Sequence, residues 1–288
     1  MAQLTIEPLH ERFGARVYGV NVTAPLDAAT VEALRDAIDR YSVLCLPDQP
    51  MTDEGQLAFT RLLGEPEESH VAFGKSGALV YLATIGNVVD ADTARGNDDQ
   101  NTQFQRANEL WHSDSSFREI PSYVSILHAY EIPGEGGDTL FASMRTAFED
   151  LPPDRQAAIE PLHVLHDYVF SRSQIAPVDP NHAASLPPVV NKLVRTNPGT
   201  GRKNFYVGSH ARSIVGFSGV DSRRLIDELN AAAVVGGNVY RHRWAVSDTV
   251  IWDNRTMLHR GGGYDASRWR RYLRQTRVRG AGPTLAEP

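Results

Sequence analysis

The stretch with the clearest chemical content is Trp111-His112-Ser113-Asp114. On an extended backbone, residues i and i+2 project to one face, so His112 and Asp114 can offer an imidazole nitrogen and a carboxylate oxygen to one cation. Two histidines and one carboxylate on one face of an octahedron suit non-haem Fe(II) and leave three positions open. The third ligand must come from a distant part of the chain. Of the 10 histidines, His259 is best placed, near the end of a strand-turn-strand pattern running from Trp252 to Gly261 and just before a Gly-rich turn. A His-x-Asp tripeptide alone is weak evidence, because a surface turn with a capping Asp has the same form. Its surroundings strengthen it. Arg270 lies 11 residues beyond His259, and Arg274 stands 4 further on. On one strand these two have equal parity and share a face, unless a bulge intervenes. An arginine fork suits a carboxylate, so such a residue behind a metal with open positions can hold an organic acid that chelates the metal. The competing reading of Arg268, Arg270, Arg271, Arg274, Arg277 and Arg279 is a solvated strand edge or an RNA-binding patch. The turn Gly134-Glu135-Gly136-Gly137-Asp138 leads into Thr139, whose hydroxyl can donate to a bound carboxylate.

These residues need a scaffold, and the periodicity describes one. Asp27 is a good N-cap for a helix carrying Val31, Leu34, Ile38 and Tyr41 at helical spacing. A second helix is predicted from Thr52 to Leu63, stopping at Gly64. Between them Ser42–Leu46 reads as a buried strand. Further short strands are predicted at Tyr123–Ala129, Val164–Phe170, Leu193–Thr196, Asn204–Val207, Val239–Trp244, Thr249–Trp252 and Arg271–Val278. Short helices are predicted near Met144–Leu151, Asp154–Ile159 and Ser222–Ala233. Many short strands with a few helices indicate a mainly β, α+β chain built as a β-sandwich or jelly roll with helical decoration. Two polar or Pro-rich stretches, Val89–Glu109 and Ser171–Pro188, show little periodicity. The first runs straight into the His-x-Asp motif, which favours a lid at 89–109.

Composition bounds the rest. The 288 residues are 41% apolar, enough for a substantial core, and no repeat or linker divides them, so residues 1–288 read as a single domain. A net charge of −6 argues against an electrostatic nucleic-acid binder. The one cysteine, Cys45, excludes an internal disulfide and a Cys-rich zinc site, and its apolar neighbours make it a buried small residue. The N-terminus lacks the apolar region of a signal peptide, and no run of about 18 apolar residues exists for a membrane span. A cytoplasmic protein is the resulting expectation.

The segments LWHSDSSF, PGEGGDTLFASMRTAFEDLP, YRHRWAVSDTVIWDNRTMLHRG and YDASRWRRYLRQT together resemble the TauD/TfdA family of Fe(II)- and 2-oxoglutarate-dependent dioxygenases. Within it they are similar to the 2,4-dichlorophenoxyacetate dioxygenase branch, over about residues 3 to 279. The resemblance implies a double-stranded β-helix with His112, Asp114 and His259 as iron ligands, and no catalytic residue beyond them. It implies that Thr139 and Arg270 bind the distal carboxylate of the co-substrate 2-oxoglutarate, with O₂ as oxidant. It places Arg274 against the anionic group of the primary substrate, with His210, His70 and Asn87 as further substrate contacts. Relatives that halogenate lack the carboxylate, so Asp114 favours hydroxylation. The implied reaction hydroxylates a small anionic substrate, an aryloxyalkanoate cleaved to a phenol and an oxo acid, with succinate and CO₂ as co-products. The branch's substrate-holding lysines have no counterpart in register at Ser69-His70-Val71-Ala72 or Asp92-Thr93-Ala94, although Lys75 and Arg95 stand nearby. A taurine or alkylsulfonate oxygenase is the alternative within the family, and a jelly-roll metal-binding protein without oxidative chemistry the alternative outside it. No nucleic acid or membrane partner is implied, and a homo-oligomer, dimer or tetramer, is.

Overall fold

The computed structural model describes residues 4–69 and 77–287. Seven strands form one large sheet, in the spatial order Thr5–Pro8, Ala15–Tyr18, Val43–Leu46, Thr249–Asp253, Ser122–Glu131, Tyr272–Arg279 and Ala83–Gly86. Neighbours are antiparallel except Ala15–Tyr18 against Val43–Leu46. A smaller antiparallel sheet, ordered Val239–His242, Thr139–Ser143 and Met257–Gly261, forms the facing layer. Two excursions link the layers: Ser122–Glu131 leads to Thr139–Ser143, and Thr249–Asp253 to Met257–Gly261. This is the expected double-stranded β-helix.

The large sheet is buried on both faces, and period-two alternation sorts its side chains. Val43, Cys45, Leu127, Val250, Trp252 and Leu273 point inward, where they pack with Phe141 and Met257 of the smaller sheet. Leu44, Leu46, Val124, Ile126, Ile251 and Val278 point outward against Leu34, Ile38, Phe59 and Leu63. Those four belong to helices Ala28–Tyr41 and Asp53–Leu63. A strand buried on both sides reads as an unbroken apolar run, as Val43–Leu46 does. Both helices start at their expected caps: Asp27 accepts from the Thr30 amide and Thr52 from the Gly55 amide. A third cluster packs helix Gly219–Ala233, through Ile226 and Leu229, against Val164, Phe205, Ile214 and Leu258.

Several expectations need correction. The stretch Val164–Phe170 is not one strand: a strand His163–His166 ends at Asp167, whose carboxylate accepts from the Phe170 amide and starts helix Tyr168–Arg172. An Asx cap is a local signal that the β-rich composition of the stretch masks. The segment 89–109 is not structureless. It holds a bridge between Val88 and Ala94, a helix Gln100–Gln105 capped by Asp99, and a 3₁₀ turn Arg106–Glu109. Pro180–Ala184 likewise forms a short helix inside the Pro-rich stretch. Cys45 is buried as expected. No helix among the described residues is long and apolar enough to cross a membrane.

At the end of Ala83–Gly86, Gly86 adopts φ +136°, and a Cβ there would lie 1.9 Å from the Arg271 carbonyl oxygen. Only glycine lets the two strands meet at this point. Gly86→Ala is therefore expected to lower the unfolding free energy by more than about 2 kcal/mol in urea titrations. Gly77, at φ +61° with nothing within 4 Å of a Cβ, is the control. Its alanine variant should lose about 1 kcal/mol, the backbone cost alone.

Candidate metal centre

His259 sits inside strand Met257–Gly261, and His112 joins that strand as an isolated bridge. Each backbone amide donates to the other's carbonyl, at 3.0 Å from His112 and 2.8 Å from His259. That pairing brings the two imidazoles together, with ring centroids 4.2 Å apart. Asp114 lies two residues further on, its Oδ1 3.9 Å from His112 Nε2 and its Oδ2 3.7 Å from His259 Nε2. All three residues are buried, and one potential ligand atom from each falls within 4.8 Å of the others. Nδ1 of His112 donates to the Leu110 carbonyl at 2.7 Å, which fixes the tautomer and leaves Nε2 with its lone pair toward the centre.

The protonation states suit a cation. Burial, then the proximity of His112, drives His259 down to about 3, and burial also lowers His112, so both imidazoles are neutral at pH 7. Burial pushes the Asp114 carboxyl up, but His259, Arg277, His112 and the Ser125 hydrogen bond outweigh it and hold the group at about 2. The carboxylate is tightly positioned. Its Oδ2 accepts from Ser125 Oγ at 2.6 Å and from Gln275 Nε2 at 2.8 Å. Asn254 steadies the turn behind it: its carbonyl accepts from Ser113 Oγ at 2.5 Å, its Oδ1 from Trp252 Nε1 at 2.9 Å, and its Nδ2 donates to Ser125 Oγ at 2.9 Å.

The three residues open into a cavity of about 460 Å³ that Thr139, Arg271, Gln275 and Arg277 also line. Here the sequence reading of the arginines fails on parity. Along Tyr272–Arg279, Leu273 is inward and Val278 outward, so odd-numbered residues face the cavity and even-numbered ones the helices. Arg270 and Arg274 do share a parity, but of the wrong face. Arg270 pairs with Glu131 at 2.7 Å on the outside. Arg274 pairs with Asp53 at 3.0 Å and donates to Thr84 Oγ1 at 2.6 Å. Neither lines the cavity. Arg271 does; it is buried, its Nε donates to the Gly137 carbonyl at 3.2 Å, and burial draws its guanidinium down to about 10, still a cation at pH 7. Gly137, at φ +72°, leaves that room, since a Cβ would lie 2.5 Å from Pro133 Cγ and 3.3 Å from Arg271 Nε. The Thr139 hydroxyl accepts from Trp244 Nε1 at 3.0 Å, which leaves its own proton to donate.

Of the other sequence-derived candidates, Asn87 is buried and fully engaged with backbone. Its Nδ2 reaches the Arg95, Ala266 and Trp269 carbonyls at 2.9, 2.9 and 3.0 Å, and its Oδ1 accepts from the Arg271 amide at 2.9 Å. It holds Arg271 in place and is not a cavity wall. His210 packs behind the centre, 6.1 Å from the His112 ring and 4.8 Å from the Phe117 ring, and does not line the cavity either. His70 and Lys75 lie outside the described residues. The cavity is also lined by residues that the sequence reading did not place in the site, among them Arg271, Gln275, Arg277 and Arg172. Strand parity, counted inward from Leu273, is the signal that finds the first three.

A second buried group of potential ligands, Cys45, His242 and Asp248, lies elsewhere in the barrel. There His242 Nε2 is 3.2 Å from Asp248 Oδ2, and burial, aided by Asp248, pushes the Cys45 thiol up to about 12. The thiol therefore stays protonated at pH 7 and offers no thiolate.

Comparison with known proteins agrees with this geometry. The model of the "Taurine catabolism dioxygenase TauD, TfdA family" matches residues 5–277. The alpha-ketoglutarate-dependent 2,4-dichlorophenoxyacetate dioxygenase of Cupriavidus pinatubonensis is 38% identical, over 93% of this chain and 96% of its own. The (S)-phenoxypropionate/alpha-ketoglutarate-dioxygenase of Sphingobium herbicidovorans is 32% identical, over 96% and 94%. The crystal structure of AAD-2 in complex with Mn(II) and N-oxalylglycine superposes with a TM-score of 0.89 at 34% identity, covering 99% of this chain and 100% of that one. A match of this extent, on a jelly roll whose barrel gathers two histidines and a carboxylate beside a buried arginine, places the chain in the TauD/TfdA family.

Proposed function

We propose that the protein is an Fe(II)- and 2-oxoglutarate-dependent dioxygenase that hydroxylates a small anionic substrate, in first place an aryloxyalkanoate. The observation that carries this reading is the convergence of His112, Asp114 and His259 on one cavity shared with Arg271 and Thr139. Two neutral imidazoles and an ionised carboxylate are the donor set that Fe(II) of this type takes. They would hold it through the two Nε2 atoms and a carboxylate oxygen. Bound iron supplies the O₂ chemistry that couples decarboxylation of 2-oxoglutarate, to succinate and CO₂, with hydroxylation of a substrate C–H bond. Where the hydroxylated carbon bears an ether oxygen, the product is a hemiacetal that collapses to a phenol and an oxo acid.

The protein's own part is binding and orientation. Arg271, in the role expected of Arg270, and the Thr139 hydroxyl form a clamp for the distal carboxylate of 2-oxoglutarate. The charge of Arg271 has no carboxylate partner among the described residues, only the Gly137 and Ile85 carbonyls, so a bound dianion would neutralise it. Leu127 and Trp252 give the cavity an apolar wall that limits water near the reacting carbon. The segment 89–109 supplies Phe104, Gln105 and Asn108 to the cavity, which supports its role as a lid. A homo-oligomer belongs to the same proposal by family resemblance, and a cytoplasmic location by the sequence features that led to that expectation.

Three results are expected. Fe(II)-loaded protein should form succinate from 2-oxoglutarate when given phenoxyacetates or phenoxypropionates, with alkylsulfonates and alkyl sulfates as the competing panel. His112→Ala should abolish it; succinate formation by that variant, or none by the parent with any acid, would sink the reading. Arg271→Gln should raise the KM for 2-oxoglutarate about 100-fold, the cost of a lost charge-assisted pair, while Arg270→Gln changes it less than about threefold. The reverse pattern would restore the first assignment. Finally, trypsin cleavage within 89–109 should slow when 2-oxoglutarate and substrate are both bound; equal rates would argue against a lid.

A further inference from the structure

Five arginines line the cavity, and their charges are met differently: Arg106 is exposed to solvent, and Arg95 has Asp99 at 3.5 Å. Arg277 is neutralised by Glu67, with Nε to Oε1 at 3.1 Å. Arg271 is accounted for by the co-substrate. Arg172, the last residue of helix Tyr168–Arg172, is the one that remains. Among the described residues no carboxylate lies within ion-pair distance of it. Its Nη2 donates to Asn108 Oδ1 at 3.2 Å, and its guanidinium lies 5.4 Å from the ring centroids of both Phe104 and Tyr168. These contacts hold the fork in place without neutralising it. Burial lowers its pKa, the mark of a charge kept in a poorly solvated place, and it acts electrostatically on both Asp114 and His112. A guanidinium has five donors, and the neutral Asn108 oxygen and Tyr168 hydroxyl meet only part of them.

The position that faces Asp114 from the strand, Gln275, carries no charge and spends its Nε2 on that carboxylate. A second anion in this cavity must therefore find its cation elsewhere. We propose that Arg172 is the receptor for the anionic head of the primary substrate, a carboxylate or a comparable oxyanion, on a wall built by the helix Tyr168–Arg172 and the segment 104–108. The Phe104 ring beside it offers an apolar surface to the body of an aryl acid. Because Phe104 and Asn108 both come from 89–109, the receptor is complete only when that segment is in place. The proposal rests on the oxygenase reading above and names the site of its substrate.

The test measures binding apart from turnover. The full-length protein, loaded with Mn(II) and N-oxalylglycine without O₂, is titrated calorimetrically with phenoxyacetate and with its neutral isostere phenoxyacetamide. The parent should prefer the acid, and Arg172→Gln should weaken acid binding about 100-fold while leaving the amide within about threefold. Arg172→Lys should recover part of the loss, and unchanged melting temperatures establish that the variants fold. Equal acid binding by the parent and Arg172→Gln would overturn the proposal and leave the oxygenase reading standing. A parent that does not prefer the acid would overturn the proposal and the substrate class together. Arg172-dependent acid binding without succinate formation by the iron enzyme would uphold the receptor and sink the reaction.

Discussion

A buried carboxylate governs this molecule. Asp114 carries its negative charge inside the barrel, where an ionised group without partners is costly. The surroundings are arranged to keep it ionised and still. Ser125 and Gln275 donate to one oxygen, and Arg277 holds Gln275 from behind through a 3.2 Å bond to its Oε1. Glu67 in turn anchors Arg277 while accepting from Ser115 at 2.6 Å and Ser122 at 2.5 Å. The row Glu67, Arg277, Gln275, Asp114 runs anion, cation, amide, anion, so each buried group finds a complement. The two histidines complete the set. They stay neutral because burial penalises their charged forms more than Asp114 favours them.

Strand periodicity then decides which side chains reach that centre. A shift of one residue exchanges the two faces of a strand completely. On Tyr272–Arg279 this puts Gln275 and Arg277 inside, and gives Arg274 to Asp53 at the start of the second helix. Just before the strand, Arg271 keeps the inward parity, pinned by Asn87 at its amide and by Gly137 at its Nε. Asn87 is thus important to the site without touching its contents. Its four hydrogen bonds tie the strand Ala83–Gly86, the entry to 89–109 and the loop 266–269 to one another.

The candidate lid shows the limit of reading polarity as disorder. Asp90 and Asp99 accept from nearby backbone amides and Asn97 from the distant Ala266 amide, and these bonds order a segment with little apolar content. Arg172 is tied to the same segment through Phe104 and Asn108. Its helix straddles the end of Val164–Phe170, which reads as a strand by composition, and the start of the Pro-rich stretch 171–188, which is why the arginine stood out only in three dimensions.

By itself, the sequence determined the mainly β architecture, both early helices with their caps, and the shared face of His112 and Asp114, with His259 as the candidate third ligand. Those features are local. Capping needs neighbours three residues apart, strands need alternating or unbroken apolar runs, and His-x-Asp on an extended backbone already faces one way. Tertiary structure decided what depends on distant partners. The pairing of His112 with His259, the inward choice of Arg271 over Arg270, and the outward loss of Arg274 to Asp53 follow from strand register. Register is set by how two sheets and two helices pack, because a side-chain repeat of two looks the same from either face until a core lies against one of them.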